Sequence, residues 1–449
     1  MATISAGDTA YVLISGALVL VMTPGLGLFY SGMVGERNVL NTLMLSFVAM
    51  SLVGVQWLLI GYAFAFGPGT SFIGGGGFYG AIGIGLEPYA PYGDNLPHLA
   101  FWWFQLTFAM ITPALISGTV VGRMRMRAWI LFALVFATVI YDPVAHWVWG
   151  AWEAQDGKMR YGWLRELGVL DFAGGIVVHL TSGFSALAVA LVIGQPSKKV
   201  PQEEAHSLPL VFIGTSLLWF GWNGFNGGSA LSAGGVAALA TVNTNVSACA
   251  GMITWMACDA LAEGRPLTGL GAMTGAVVGL ATITPAAGFV RPLSALVFGV
   301  TGAIVSFFSV KYLKTGWGIA DTLDCFFCHG TSGVVGVVLV GLFAETEVNP
   351  GGADGLFFAF NQDGAKFFGY QVLATVVCAC WSFGLAFALL MAFKAVPAIG
   401  LRTSENKEVV GLDQTLHNAY AYKNKKQNAS AVENNMEGGQ KEEQKIEAN

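Results

Sequence analysis

Histidine is the side chain whose charge changes nearest neutral pH, and two of the six histidines stand in one phrase written twice. "DFAGGIVVHLTSG" begins at Asp171 and "DTLDCFFCHGTSG" begins at Asp321. Each places a histidine, His179 or His329, eight residues after an aspartate and follows it with x-Thr-Ser-Gly. An imidazole accepts and hands on protons. Two adjacent imidazoles in an apolar setting share one proton, because two imidazoliums repel, and they titrate as a pair. A hydrogen bond between the rings is the expected arrangement. A lone histidine in an apolar run is read equally well as a packed core residue, whereas a symmetric pair at mid-depth reads as the lining of a route. The aspartates read first as caps for free helical N–H groups. The rival reading has Asp171 attract and hold a cation electrostatically. Asp324, one turn inside its helix by this register, is expected to hold the second copy in shape.

"CFFCH" at 325–329 also matches the C-x-x-C-H pattern of covalent haem attachment. It lies in an apolar helix, and the first copy carries its histidine with no cysteine, so haem leaves His179 unexplained. A third set is aromatic: "FWWFQLTFAM" at 101–110, "HWVWG" at 146–150 and "WFGWNGFNGGSA" at 219–230, which includes Trp222. Most such residues belong to interfacial belts. With polar Gln105, Asn226 and Ser229 among them, the three clusters also suit a cation–π pocket, where a desolvated cation gains about 2 kcal/mol.

The elements that position these residues must be membrane helices. The chain has 449 residues, 54% hydrophobic and 11% charged, against roughly 25% charged in soluble domains. Apolar runs of about 20 residues, enough to cross a ~30 Å hydrocarbon core, recur throughout. The net charge of -5 says little, because much of the acid sits in the tail. No basic n-region or cleavage motif marks a signal peptide. Cys249, Cys258, Cys325, Cys328, Cys378 and Cys380 fall in apolar runs and read as small buried hydrophobes.

An all-α polytopic fold of eleven spans is expected, near 10–33, 39–66, 98–121, 128–149, 170–194, 207–227, 235–262, 268–287, 290–312, 323–345 and 366–396. One set of short loops carries Arg37, Arg123, Arg125, Arg127, Lys198, Lys199, Arg265, Lys311 and Lys314. The other carries Lys158, Arg160, Arg165 and Arg291. The positive-inside rule then puts the N-terminus outside and the C-terminus in the cytoplasm. The loop at 67–97, with no Lys or Arg, agrees. "ITPA" recurs at 111–114 and 283–286, in the same order as the histidine phrase and five spans apart. Five spans per copy make an inverted repeat, about 10–194 and about 207–345, with a final span at about 366–396. The two histidines should meet near the midplane from opposite faces, each about 12 Å along a helix begun at its aspartate. Residues 397–422 are expected to dock on the cytoplasmic face. Residues 423–449 read as a disordered polar tail, with the Asn428 sequon on the wrong side for glycosylation.

The chain resembles the ammonium transporters of the Amt/Mep/Rh family, on the Amt/Mep side, over roughly residues 8–422. The resemblance runs through "GLGLFYSGMV", "FQLTFAMITPALI", "DFAGGIVVH", "GWNGFNGGSA", "DCFFCHG" and the tail "GLD". It implies twin pore histidines at His179 and His329, and an outer ammonium site at Phe108, Trp149 and Ser229. It implies a gate of Phe108 with Phe225, and a supporting Asp171. Trp163 is the rival to Trp149, because "EAQDGKMRYGWLRE" separates Trp149 from Asp171. The family tail usually reads GLD-x3-His-Gly, whereas Asn418 follows His417 here, which bears on regulation through the tail.

The implied activity is capture of NH4+, its deprotonation and passage of NH3, with the proton crossing along the histidines. A Rh-like channel for neutral NH3 or CO2, and an ammonium sensor signalling through the tail, are the alternatives. Methylammonium is the expected substrate analogue, a homotrimer in the plasma membrane the implied assembly, and the tail a possible site for a cytoplasmic regulator. The loops hold no nucleotide loop, metal-ligand cluster or nucleophile triad. No enzyme activity, cofactor, metal or nucleic-acid partner is therefore expected.

Overall fold

A computed structural model describes residues 4–201, 205–264 and 266–422. Arg265, Asn428 and the polar tail at 423–449 lie outside the described residues. Among those described, ten helices are long and apolar enough to cross a membrane. They are α1 (Ala6–Met33), α2 (Glu36–Phe66), α3 (His98–Val120), α4 (Met126–Trp149), α5 (Gly175–Ile193), α6 (Leu208–Gly228) and α7 (Gly235–Ala262). After the shorter apolar α8 (Gly269–Ile283) come α9 (Pro292–Trp317), α10 (Phe326–Phe343) and α11 (Gln362–Ala395). This is a multi-pass membrane protein. Helices are what these sequences form because lipid offers backbone groups no partners, and a helix satisfies its own.

The two "ITPA" copies fold differently. Pro113 lies within α3, whereas α8 stops at Ile283 and the chain turns through Pro285. The 15 residues of α8 rise only about 22 Å, less than a hydrocarbon core.

The starts of α5 and α10 depart from expectation. The helix does not begin at Asp171: residues 171–174 are non-helical, Gly174 is left-handed at φ 111°, and the first turn, Gly175–Leu180, is a π-helix. In α10 the π-turn is Phe326–Gly330. Each histidine therefore lies in the opening turns of its helix, and the rise from aspartate to histidine falls short of eight helical residues. The cause is local. The carboxylates take up the following N–H groups and fold the chain into a tight turn first. Asp324 is not one turn inside its helix either. It precedes α10 in a left-handed conformation at φ 56°, and Lys314 Nζ donates to it at 2.6 Å.

The glycines of the two Thr-Ser-Gly phrases explain why small residues stand there. A Cβ on Gly183 would strike the backbone of Gly330, and one on Gly333 would strike the backbone of Leu180 and Gly175. So α5 and α10 cross backbone to backbone, each glycine against the other helix's π-turn.

Between α4 and α5 a small hairpin of β1 (Ala151–Glu153) and β2 (Met159–Tyr161) pairs antiparallel, Ala151 opposite Tyr161. On the opposite face, residues 401–403 and two short helices, α12 (Glu405–Val410) and α13 (Leu412–His417), pack on the α2 start and the α3–α4 loop. Asp413 accepts from the Leu40 and Asn41 N–H groups at 2.9 and 2.8 Å. The Leu412 N–H donates to Asn38 at 3.0 Å. Burial raises the Asp413 carboxyl above its usual value, partly offset by these N–H donors. Not every cysteine is buried as expected: Cys249 and Cys380 are exposed, on α7 and α11.

Candidate functional site: two cavities parted by a pair of phenylalanines

The upper cavity opens on the face carrying the hairpin. Gln105 and Phe108 of α3, Trp149 at the end of α4, Asp171 before α5 and Ser229 just after α6 all line it. The Trp149 indole N–H donates to the Asp171 carbonyl at 2.8 Å. Its own carbonyl accepts from Arg165 at 2.6 Å. The indole is thereby fixed, standing edge-on to Phe108 at 6.0 Å and 85°. Trp163 packs on Trp147 instead, at 5.7 Å. Ser229 Oγ donates to the Phe225 carbonyl at 2.8 Å. With its proton so engaged, the oxygen presents lone pairs to the cavity, the acceptor a protonated amine needs. Asn226 does not join the group: it is fully buried and donates to Thr244 of α7 at 2.8 Å.

The Asp171 carboxylate is fully used by backbone. Oδ1 accepts from Gly174 and Gly175 N–H at 2.9 and 2.6 Å, and Oδ2 from Ile176 and Val177 at 2.8 and 3.1 Å. One side chain thus ties up the free donors of the α5 start and, through its carbonyl, holds Trp149. Asp321 does part of this for α10, accepting from Phe326 N–H at 2.8 Å and from Thr119 Oγ1 at 2.7 Å.

Below the upper cavity Phe108 stacks on Phe225, with ring centroids 4.2 Å apart and planes at 29°. Each is 1% exposed. The lower cavity begins beneath them and is lined by Phe225, Trp222, His179, His329, Cys328 and Asp324 among mostly apolar neighbours. The two imidazoles lie nearly parallel, centroids 5.3 Å apart at 16°. Trp222 stacks on His179 at 5.4 Å, and its indole N–H is fixed by Thr284 at 3.0 Å.

The expected hydrogen bond between the histidines is not made. Neither ring nitrogen of His179 has a partner, nor has Nδ1 of His329. The rings are neighbours with nearly parallel planes, and no pair of their nitrogens meets in hydrogen-bonding geometry. Unpaired buried polar atoms cost about 1–3 kcal/mol each, and here they border a cavity through which a small polar molecule can meet them.

Two partners escaped the sequence reading. Thr284, which orients Trp222, is the threonine of the second "ITPA" copy, and that motif was read only as a sign of duplication. Arg123 was counted only as loop charge, yet it is 2% exposed. It donates to the carbonyls of Thr119, Gly194 and Ala320 and to the Thr322 hydroxyl. It thereby ties the end of α5 to the approach of α10.

Residues 10–422 match the model of the Ammonium Transporter Family. The chain belongs to that family. It is 44% identical to an ammonium transporter of Bacillus subtilis, over 93% of this chain and 98% of that one. It is 46% identical to a putative ammonium transporter of Methanothermobacter thermautotrophicus, over 94% and 99%. The crystal structure of Saccharomyces cerevisiae Mep2 superposes with a TM-score of 0.80 at 35% identity, covering 89% of this chain and 90% of that one. A solved structure described as a sensor Amt protein gives 0.82 at 26% identity, over 91% and 98%. This is a family of transporters and not of enzymes. This chain carries both histidines of the repeated phrase.

Proposed function

We propose that this member of the Ammonium Transporter Family carries ammonium across the plasma membrane through the two cavities in series. NH4+ sheds water in the upper cavity, rests against Trp149 and Phe108, and donates a hydrogen bond to Ser229. Asp171 and Gln105 support that site. The stacked Phe108 and Phe225 form the gate. Passing the intact ion through it is unfavourable, since a charge at mid-bilayer costs at least ~2.5 kcal/mol. NH3 moves on to His179 and His329, and the proton crosses separately along that pair, so transport is electrogenic. K+ has no proton to give up and is refused.

In this reading eleven helices cross the membrane, α8 included, as two inverted five-helix units and a final helix. The upper cavity and N-terminus lie outside, the tail in the cytoplasm. Residues 1–396 form the transport unit, and residues 397–422 dock on its cytoplasmic face, where a regulator could bind. Resemblance supports a homotrimer with one pore per subunit.

The observation that carries the proposal is the succession itself: a fixed indole beside a hydroxyl with free lone pairs, then a phenylalanine pair, then two imidazoles with unpaired nitrogens. Solid-supported membrane recordings on proteoliposomes test it. Ammonium and methylammonium jumps should evoke current, and a K+ jump none. A neutral-gas channel would pass NH3 with no charge movement, and that silence would refute the electrogenic reading.

A further inference from the structure

The upper cavity carries a charge that capture of a cation does not call for. Among its lining residues two are formally charged, Asp171 and Arg165. The Asp171 carboxylate is engaged by four backbone N–H groups. Arg165 stands on a single helical turn, Trp163–Glu166, between the hairpin and Asp171. Its guanidinium donates to the Trp149 carbonyl at 2.6 Å and lies over the Tyr161 ring, 5.0 Å from the centroid. Trp149 and Tyr161 both line the same cavity, so the charge sits in its wall, beside the indole against which the ion rests.

Nothing at that wall cancels the charge. Among the described residues no carboxylate pairs with Arg165. A peptide carbonyl and a ring face bring partial charges only, and arginine stays protonated. A cation entering the cavity is therefore drawn by Asp171 and pushed back by Arg165.

We infer that Arg165 is an affinity-setting residue, whose charge offsets the pull of Asp171 and holds the outer site to weak, quickly reversed capture. This rests on the outer site proposed at Trp149, Phe108 and Ser229. Two unit charges about 8 Å apart in a cavity open to solvent change an affinity about 3-fold. The effect is lost near 1 M salt, where the Debye length is about 3 Å. A purely mechanical role has the opposite sign: without its donor the Trp149 carbonyl loosens, the indole with it, and capture weakens at every salt concentration.

The test is uptake of labelled methylammonium into proteoliposomes of the full-length protein, which gives a half-saturation point with or without charge movement. At an ionic strength of about 10 mM, Arg165→Gln should half-saturate at about 3-fold lower methylammonium than wild type. Near 1 M sodium chloride the two should coincide. Arg165→Lys, which keeps the charge, should follow wild type at both. Arg160→Gln, on the hairpin but paired with Asp156 away from the cavity, should change nothing. The half-saturation point of the wild type itself should fall as salt rises, a reading that needs no variant. A value unchanged or raised in Arg165→Gln, or a wild-type value that salt does not lower, overturns the inference and leaves the route through the cavities standing. The expected salt effect without ammonium-evoked current supports Arg165 while refuting the electrogenic step.

Discussion

The Ser229 hydroxyl is aimed by its own backbone: the Phe225 carbonyl takes its proton at 2.8 Å, so what faces the upper cavity is an acceptor. A hydrogen bond from a charged donor contributes about 1.5–3 kcal/mol, and about 1.4 kcal/mol is a factor of ten in affinity. Ser229→Ala should therefore raise the ammonium concentration for half-maximal current about 10-fold or more, with the gate and the histidines intact. An unchanged half-saturation point would remove Ser229 from the site. At this scale the sequence was informative about identity and poor about orientation. His179 and His329 stand out because a titratable residue in an apolar run is costly, and because the phrase recurs. The plane of each ring did not stand out. Trp222 and Phe225 of α6 stack on His179 at 5.4 and 6.0 Å, and spacing along α5 alone cannot reveal a neighbour supplied by another helix.

Helix starts were less legible than helix existence. Apolar length found α5 and α10, but their first turns are set by which backbone donors Asp171 and Asp321 capture, and that pushed both starts past the aspartates. Asp324, read as lying within α10, instead makes the left-handed turn before it, held by Lys314. The Thr-Ser-Gly ending has a mechanical use: Gly183 and Gly333 let α5 and α10 touch backbone to backbone. A methyl at either point must part the helices, at about 1–3 kcal/mol for overpacking, and the histidine rings part with them. Gly183→Ala should cut ammonium-evoked current several-fold while protein yield and helical content hold. Wild-type current in that variant would mean the crossing tolerates a side chain and does not set the ring separation. The departure from the usual tail motif also acquires a physical reading. Asn418 is left-handed at φ 48°, a conformation that asparagine tolerates better than most residues, so the turn that closes α13 is kept without glycine.

At the scale of the molecule, composition and run length were enough to predict a helical multi-pass protein, and the repeated motifs to suggest its duplication. What they could not supply was tertiary: α8 ends early at a proline turn, and Arg123 is a buried tie between α5 and α10 rather than a loop charge. The account as a whole rests on two neighbouring imidazoles with unpaired nitrogens, lodged under the Phe108–Phe225 pair. The most direct measurement is the solid-supported membrane current of the doubly substituted His179→Ala/His329→Ala protein, beside wild type at equal protein density. The account predicts that the ammonium-evoked current disappears. A current of wild-type size would contradict it.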